Sequence, residues 1–526
     1  MSTRDNSTEQ MVFLSCGTAA NGSPFYPNYM GVAGTPVIDA SSDSNEYTLY
    51  VVGAVYIGSG NSGFYLFAVD IRYGTVKAAK LINGSVGGSA PSAFCTTSSA
   101  SGTINFISNG TIGQIQRQGL LLLNGNVYIG FADFPENNNT YPENGWMFGY
   151  SLSGSSFMQT AIFNSTPHGT GGGFWGAGAA PASDGTSIFT ATGNGTTYDV
   201  ISPINGQLLT EAGDSLLKLS AGLGLEDFYT PYDVFTFSGT NNGNSCASLC
   251  TCDEDFGSGG VMLPPNFTYT GSTGECSDGC SIAVAADKQS NIYVSNQEYL
   301  GQFSSGSQST GCQNSTNNVQ CIQTPSPIPG NDLPQGYWAS PAYLTYTESG
   351  TTYNILYYSA NAPNTVGMNG KPGTAGVAPM PINAYQLSTS SSAGPIPSSP
   401  SYSSTSAGVP LLFCGYSPTP SVSSDGATYK TGIVWAIEVN QNKNNEGGPN
   451  PDCSNMDQPA PAALHAFDAS TLAEIYTTRQ KVQTKIGHVN AFPTPTIFNG
   501  YVYMATNTEV DVFGLCSASG NPACLP

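Results

Sequence analysis

The chain has 526 residues, and only 9% of them are charged, whereas 63 are Gly, 35 are Pro and 29 are Tyr. Its 13 Lys and Arg against 34 Asp and Glu give a formal net charge of −21, which argues against nucleic acid and anionic membranes as partners because both require a basic surface. The scarcity of Lys and Glu argues against long surface helices, and no apolar run is long enough to span a membrane as a helix.

The first 33 residues are predicted to form a separate N-terminal segment. MSTRDNSTEQ (1–10) is polar, and the following MVFLSCG (11–17) is too short for the core of a signal peptide or for a membrane span. No targeting signal is therefore visible in this chain. The apolar run at 11–16 is a candidate for one strand that completes a blade.

Seven stretches repeat one pattern, in which an apolar strand, a polar turn and a strand rich in aromatic and β-branched residues follow one another. Two of the turns are Asn-Gly, at 124–125 and 499–500, and Asn-Gly tolerates the positive φ angles of a type I′ hairpin. The last stretch adds a third strand and is predicted to form a meander. The stretches are TPVIDASSDSNEYTLYVV (35–52), LLLLNGNVYIGF (120–131), PASDGTSIFTAT (181–192), VAADKQSNIYVSN (284–296), SPAYLTYTESGTTYNILYYS (340–359), PTPSVSSDGATYKTGIVWAI (418–437) and PTPTIFNGYVYMATNTEVDVFG (493–514).

These repeats predict an all-β fold, a β-propeller of about seven four-stranded blades, with eight blades as the alternative. A lone meander cannot bury both of its faces, whereas repetition around an axis covers them and leaves only short edges. Insertions rich in Gly, Ser, Asn and Pro are predicted as long loops at 84–112, 239–278 and 389–410. A pair of β-sandwiches is the second architecture that such short strands allow.

Thirteen cysteines and nine N-x-[ST] sequons predict a secreted glycoprotein, extracellular or at the cell surface. Six cysteines crowd into one loop-like region, where disulfides are favoured over a zinc site with C-x3-C-x-C spacing. An odd total leaves at least one free thiol or an intermolecular bond. The disulfide candidates are Cys246, Cys250, Cys252, Cys276, Cys280, Cys312, Cys321, Cys516 and Cys524. The glycosylation candidates are Asn6, Asn21, Asn83, Asn109, Asn138, Asn164, Asn194, Asn266 and Asn314.

The repeats also resemble the pyrroloquinoline-quinone-like (PQQ-like, quinoprotein-type) propeller family, whose blades carry an A-x-D-x-x-T/x-G turn after an aliphatic–aromatic strand. Two segments fit that turn: FAVDIRYG with Ala68, Asp70 and Gly74, and HAFDAST with Ala466, Asp468 and Thr471. Longer runs look like a secreted, poorly characterised branch of the family: QRQGLLLLNGNVYIGFAD, FNSTPHGTGGGFWGAGAAPASDG, GDSLLKL, DFGSGGVMLPP and GIVWAI. The resemblance implies a propeller domain over 34–516 and a C-terminal tail over 517–526.

The chain departs from the family pattern at both ends of its first repeat. Family members carry another blade's worth of strands before the segment that GVAGTPVID (31–39) resembles. The Trp that ends a quinoprotein repeat is also missing, because Lys77-Ala78-Ala79-Lys80 follows the first turn. The blade count therefore stays open between seven and eight.

The family resemblance implies a quinone cofactor, but the chain lacks the residues that hold it in the family. Quinone-dependent dehydrogenases of this family hold the cofactor between a Trp and a vicinal Cys-Cys disulfide, beside a Glu–Asn–Asp calcium site and a catalytic Asp. The chain has no adjacent Cys-Cys, and no residues can be assigned to the other roles. Motifs of serine hydrolases, zinc proteases and P-loop enzymes are absent as well. The sequence therefore assigns no catalytic residue, metal or cofactor, and PQQ or calcium is disfavoured.

The segment from Thr166 to Ala177 is the best candidate for a ligand site, because loops converge at the mouth of a propeller channel. Its glycines would let a partner approach the backbone, its Trp offers a flat apolar face, and its His can donate or accept a hydrogen bond. A polar turn near 253–258 is predicted at the same mouth. The alternative is architectural, with the Trp plugging the channel and the glycines making a tight turn. The candidate residues are His168, Gly171, Gly172, Gly173, Trp175, Asp253, Asp255 and Ser258.

The other two histidines are not expected to bind a ligand. His465 lies in a predicted strand, where a packed, hydrogen-bonded core histidine is favoured, and His488 lies in a polar connector and is expected to be solvated.

These observations favour a non-catalytic binding or scaffold module whose ligand is a glycan, a cell-wall component or an extracellular protein. The alternative is a quinone- or metal-dependent oxidoreductase. A purely structural surface protein is the third interpretation.

Overall fold

The computed structural model describes residues 31–40, 47–58, 61–89, 91, 98, 100–107, 114–133, 144–198, 211–231, 239–241, 244–246, 255–271, 276–288, 291–303, 320–323, 338–360, 380–413, 418–438, 462–479, 486–487, 489, 492–506 and 509–514. The chain divides into two compact units, Met1–Gln323 and Thr324–Pro526. In both units the described residues form sheets from strands that are close in sequence. Their one helical element is a 3-10 turn, Gly176–Gly178. The prediction of an all-β fold is confirmed.

The first two sheets of the N-terminal unit are antiparallel. The first has the order β1-β2-β3-β4, a small β5-β6 hairpin follows, and the second has the order β11-β10-β9-β7, with β8 also paired to β9. Their strands are β1 (Val37–Asp39), β2 (Thr48–Gly58), β3 (Asn61–Asp70), β4 (Thr75–Leu81), β5 (Ser85–Gly87), β6 (Thr103–Asn105), β7 (Gln114–Ile115), β8 (Leu121–Leu123), β9 (Asn126–Asp133), β10 (Trp146–Ser153) and β11 (Ser156–Asn164).

The rest of this unit contains two larger sheets and two isolated strand pairs. Its strands are β12 (Ala182–Ser183), β13 (Ile188–Ala191), β14 (Thr197–Tyr198), β15 (Glu211–Ala212), β16 (Leu216–Leu219), β17 (Leu225–Thr230), β18 (Gly239–Asn241), β19 (Asn244–Cys246), β20 (Ile282–Ala286), β21 (Asn291–Asn296), β22 (Gln302–Phe303) and β23 (Gln320–Gln323). The third sheet has the order β12-β13-β16-β17-β22, in which β22 runs parallel to β17. The fourth is β20-β21-β23, and β14-β15 and β18-β19 pair separately.

The C-terminal unit contains three antiparallel sheets, each consecutive along the chain. Their orders are β24-β25-β26-β27, β30-β31-β32-β33 and β34-β35-β36, and β28-β29 is a small hairpin. The strands are β24 (Ala342–Glu348), β25 (Thr351–Ser359), β26 (Ile382–Gln386), β27 (Tyr402–Ser403), β28 (Thr405–Ser406), β29 (Val409–Pro410), β30 (Ser421–Ser423), β31 (Ile433–Glu438), β32 (Ala463–Asp468), β33 (Glu474–Thr477), β34 (Thr496–Phe498), β35 (Tyr501–Ala505) and β36 (Val510–Gly514).

Both Asn-Gly turns have the predicted conformation. Asn124 and Gly125 have φ angles of 50° and 76°, and Asn499 and Gly500 have 50° and 79°. Each pair therefore has the two positive φ angles of a type I′ turn, whose twist matches that of the strands it joins. The hairpins β8-β9 and β34-β35 and the final meander are confirmed.

Each of the seven repeats supplies an antiparallel strand pair to a different sheet. The pairs are β1-β2, β8-β9, β12-β13, β20-β21, β24-β25, β30-β31 and β34-β35. Consecutive antiparallel meanders of this kind are the sheets from which propeller blades are built. The number of blades stays a prediction.

The insertions predicted as long loops contain short strands. The stretch 84–112 includes the β5-β6 hairpin, which is followed by Phe106, a fully buried residue that packs edge-on against Phe131 and Phe148 with ring centroids 4.7 and 4.9 Å away. The stretch 389–410 likewise contains β27, β28 and β29. Burying a Phe side chain contributes about 1.5–3 kcal/mol, so the first insertion is part of the core of the N-terminal unit.

One disulfide lies in the described residues, between Cys276 and Cys280, within the cysteine-rich region that the sequence singled out. Cys246 and Cys321 lie in β19 and β23. The other disulfide candidates, Cys250, Cys252, Cys312, Cys516 and Cys524, lie outside the described residues.

Candidate functional site

The Gly-rich segment connects β11 to the 3-10 turn and packs its backbone directly against other backbone. Gly172 N donates to Asn194 O at 2.7 Å, and Gly193 N donates to Gly173 O at 2.8 Å. Gly171 has a φ of 73°, and a Cβ there would lie 2.2 Å from Asn194 O. Glycine is required at position 171 because two segments of the chain approach each other there too closely to leave room for a side chain.

Buried polar side chains hold the start of this segment in place. Asn144 is fully buried, and its Nδ2 donates to Thr166 O, Thr166 Oγ1 and Gly169 O at 2.7–3.0 Å. Ser165 Oγ donates to Gly172 O at 2.8 Å, and Thr166 Oγ1 donates to Gly171 O at 2.8 Å. Because buried hydrogen bonds of this kind are costly to break, the segment forms a fixed surface.

Glu211, at the start of β15, lies beneath the same segment. Its carboxylate oxygens accept from the backbone N–H of His168 at 3.0 and 3.1 Å. Burial raises the pKa of Glu211, and the hydrogen bonds from His168 and Gly169 only partly oppose this, so that the pKa reaches about 7. The carboxyl therefore changes charge near neutral pH, directly under the predicted site.

The titration of Glu211 predicts a pH-dependent stability. Its pKa is higher in the folded protein than the ordinary value of 4.5, so this contribution to stability is fully present below pH 4.5 and is lost as the pH rises through 7. In the wild type, the free energy of unfolding should fall between pH 4.5 and 7. We expect this fall to be smaller in Glu211→Gln, by on the order of 2–3 kcal/mol.

Chemical denaturation of both proteins at several pH values measures this difference. Glu226→Gln, in β17, is the matched control, because it removes a carboxylate that is bonded to Ser187 Oγ rather than to the Gly-rich segment. Parallel pH profiles for wild type and Glu211→Gln would contradict the prediction.

Trp175 is buried and packs inside the protein. Only 7% of it is exposed, and it forms a small apolar cluster with Ile115 and Ala132. The guanidinium of Arg117 lies over its ring, 4.8 Å from the centroid, within the range of a cation–π contact. These contacts correspond to the architectural interpretation of this tryptophan.

The turn at 255–258 contacts the end of the Gly-rich segment. Asp255 Oδ1 accepts from Asn194 N at 2.6 Å, and Gly176 N donates to Gly257 O at 3.3 Å. Ser258 is buried in the same turn. Asp253 lies outside the described residues. The structure thus brings the Gly-rich segment, which contains His168, Gly171, Gly172, Gly173 and Trp175, next to the turn that contains Asp255 and Ser258. Whether these residues bind a ligand stays a prediction.

Sequence reasoning missed three ionisable residues near this segment. Glu211 supports the loop, and Lys288 and Asp214 lie next to Asp255. Lys288 Nζ is 2.5 Å from Asp255 Oδ2, and burial together with the charge of Asp255 raises the pKa of Asp214. Each stands at the end of a strand or in a turn, where a charged residue is ordinarily solvated. The only signal in the sequence was the rarity of charged residues, which make up 9% of the whole chain.

A second buried polar cluster lies in the C-terminal unit and is built on His465. This residue has no exposed surface, and its Nδ1 and Nε2 lie 2.7 Å from Glu474 Oε1 and 3.2 Å from Glu438 Oε2. Arg479 also binds Glu438 through its Nε and Nη2 atoms. The expectation of a packed, hydrogen-bonded histidine is confirmed. His488 lies outside the described residues.

Among the described residues, neither Trp175 nor Trp146 fits the quinone site that the family resemblance implies. A planar quinone needs an open aromatic face, whereas Trp175 has Arg117 over its ring and is buried. The fully buried Trp146 stacks on Phe148, 6.0 Å between centroids. Within the described ranges, no three His, Cys, Asp or Glu side chains converge as a metal site would require.

Four of the predicted glycosylation sites lie in the described residues. Asn83 and Asn266 are exposed, so a glycan can be attached there. Asn164 and Asn194 are buried, and Asn164 Oδ1 accepts from Thr166 N at 3.0 Å. Asn6, Asn21, Asn109, Asn138 and Asn314 lie outside the described residues.

Comparison with solved structures finds matches at low sequence identity and with low TM-scores. No protein-family model matches the chain, and no curated protein matches it. The quinohemoprotein alcohol dehydrogenase of Comamonas testosteroni is 13% identical with a TM-score of 0.43, covering 96% of this chain and 73% of that one. Quinohemoprotein alcohol dehydrogenase ADHIIG of Pseudomonas putida HK5 is 12% identical with a TM-score of 0.43, covering 97% and 73%. Sqt1 of Saccharomyces cerevisiae is 8% identical with a TM-score of 0.39, covering 96% and 100%.

In the part of the chain that the structure describes, no helix has the length and apolar character needed to cross a membrane.

Proposed function

We propose that this chain is a secreted, glycosylated PQQ-like β-propeller of seven or eight blades that acts as a non-catalytic binding or scaffold module. Its ligand is a glycan, a cell-wall component or an extracellular protein. Secretion is supported by the sequons and the Cys276–Cys280 disulfide, since such bonds persist in oxidising compartments. The blade-like sheets and the family resemblance support the architecture.

The observation that carries the binding role is the half-buried polar surface around His168. His168 O accepts from Ser98 N at 2.8 Å, and the neighbouring Pro167 O accepts from Ser89 N at 2.9 Å. The hydroxyls of Ser89 and Ser98 are 3.3 Å apart. The Nδ1 atom of His168 is buried and makes no hydrogen bond with any described residue. An imidazole and two hydroxyls on a fixed backbone suit a neutral, hydroxylated ligand such as a sugar.

A glycan array probed with the intact protein tests this proposal. We expect binding to one class of neutral glycan, and we expect His168→Ala to weaken it about tenfold, because a lost hydrogen bond costs about 0.5–1.5 kcal/mol. Tyr73→Ala is the control, since Tyr73 is 73% exposed and lies in the turn between β3 and β4.

Unchanged affinity in a folded His168→Ala variant would place the site elsewhere. If no glycan binds and the protein instead retains visible absorbance after addition of PQQ and calcium, the oxidoreductase alternative replaces the proposal.

A further inference from the structure

Lys288 and Asp255 form a buried pair in the N-terminal unit. The side chains of Lys288 and Asp255 are 9% and 3% exposed, and Lys288 Nζ lies 2.5 Å from Asp255 Oδ2. Their backbones are joined as well, because Lys288 N donates to Asp255 O at 3.1 Å. An amine and a carboxyl are therefore held in contact at a site from which water is largely excluded.

The two oxygens of Asp255 have different surroundings. Oδ1 accepts from Asn194 N at 2.6 Å, whereas Oδ2 faces the amine of Lys288. A fixed backbone N–H on one carboxyl oxygen stabilises negative charge that develops there when a nucleophile attacks the carbon. The other oxygen is then the one placed to leave.

A second carboxyl lies beside this pair. Asp214 has no exposed surface, and its Oδ1 accepts from the N–H of Phe256, the residue that follows Asp255. Its Oδ2 is buried and makes no hydrogen bond with any described residue. Burial, reinforced by the charge of Asp255, raises the pKa of Asp214 well above its ordinary value and so favours its protonated form.

The surroundings are aromatic. Phe256 lies in an apolar cluster with Tyr229 and Tyr293, whose ring centroids are 6.4 and 5.0 Å from its own. Trp175 Cδ1 and Asp255 Oδ1 both lie within 3 Å of the position that a Cβ on Gly193 would occupy, at 2.6 and 2.1 Å. Low polarity makes separated charges costly, and it thereby favours an uncharged product over an ion pair.

We propose that Lys288 and Asp255 condense to an intramolecular isopeptide bond between Nζ and Cγ, with Asp214 transferring the protons. Nothing besides the folded chain is consumed, because one ammonium and one carboxylate give one amide and one water.

The reaction proceeds through a tetrahedral intermediate. A proton first passes from the Lys288 ammonium to Asp255 Oδ2. The amine lone pair then attacks Cγ, the N–C bond forms, and the electron pair of the carbonyl moves to Oδ1, where Asn194 N–H holds it. Asp214 gives its proton to Oδ2 and recovers one from the nitrogen, the C–Oδ2 bond breaks, and Oδ2 leaves as water. Oδ1 becomes the amide carbonyl oxygen.

The intact mass of the full chain tests the proposal. After reduction of disulfides and amidase removal of N-glycans, which turns each released Asn into Asp, the denatured protein is expected to be lighter than the sequence so corrected by the mass of one water. Proteolysis and tandem mass spectrometry should identify one branched peptide that joins the segments containing Asp255 and Lys288. A full mass, with these two segments recovered as separate linear peptides, overturns the proposal.

Three variants separate this bond from other losses of water. Lys288→Arg keeps the positive charge but cannot cross-link, so it should retain its full sequence mass. Asp255→Asn should lose ammonia instead of water and yield a product of the same mass as the wild-type product. Asp214→Asn should form the bond roughly 10²-fold more slowly, because it removes the general acid.

A water deficit that persists in Lys288→Arg would come from succinimide formation at an aspartate and would overturn the proposal. If a variant fails to fold, the branched peptide of the wild type still decides between the two outcomes.

Discussion

Replacing His465 with alanine is expected to lower the free energy of unfolding by about 3–5 kcal/mol, the cost of breaking a buried ion pair by removing one partner. His465 has no exposed surface and lies between Glu438 and Glu474, which are 3.2 and 2.7 Å from its two nitrogens. Without the imidazole, Glu474 keeps the hydrogen bond from Ser406 but loses the compensating charge of His465.

The sign of the pH dependence follows from opposing effects on each group. Desolvation would lower the pKa of His465, but its hydrogen bonds to Glu438 and Glu474 outweigh this, and its pKa is raised. Desolvation alone would raise the pKa of both glutamates. The pKa of each is nevertheless lowered, and the hydrogen bond from His465 is the largest of the effects that lower it. The imidazole contribution is complete below pH 6.5 and is lost at higher pH, while the carboxylate contributions are complete above pH 4.5 and are lost at lower pH.

The stability difference between wild type and His465→Ala should therefore be largest between pH 4.5 and 6.5 and should shrink on both sides. Chemical denaturation followed by circular dichroism measures it. Arg72→Ala is the matched control, because Arg72 also pairs with an acidic residue, Asp70 at 3.1 Å, but at the surface, where solvent screens the pair. An equal loss of stability in the two variants would mean that burial does not set the strength of the His465 cluster.

Local signals in the sequence were sufficient for the strand pattern. Asn124-Gly125 and Asn499-Gly500 determine the turn type through their own backbone preferences, and the register of the adjoining hairpins follows from the turn. The β-branched and aromatic residues of a buried strand such as β21 also predict that strand. These features depend on neighbours in the chain, which the sequence displays directly.

The environment of the candidate site depends on contacts between distant segments, and the sequence carries no local sign of them. Trp175 looked like an open aromatic face because nothing near it in the chain reveals that Arg117 covers its ring. The glycines suggested an approach by a ligand, whereas the closest approach is by the backbone at 194–195. Three separate turns supply Lys288, Asp214 and Asp255. These residues come together because of the way the third and fourth sheets pack.

The Gly171→Ala variant tests directly whether the Gly-rich segment is held by close backbone contact. We expect it to lose about 3–5 kcal/mol, because a left-handed φ of 73° is strained for alanine and the added methyl overlaps neighbouring atoms. A Cβ would lie 2.2 Å from Asn194 O and 2.7 Å from Gly195 Cα. Both are backbone atoms, which cannot move aside by changing a rotamer, so the two segments must separate.

Gly125→Ala separates the two causes of this loss. Gly125 has nearly the same φ, 76°, in the β8-β9 turn, but a Cβ there would meet no atom within 4 Å. It should therefore lose only the conformational part, about 1–2 kcal/mol. Chemical denaturation of both variants gives the difference, which is the cost of forcing the backbone at 171 away from the backbone at 194–195. Equal losses would show that the segment yields to the methyl group and has room for a partner beside its backbone.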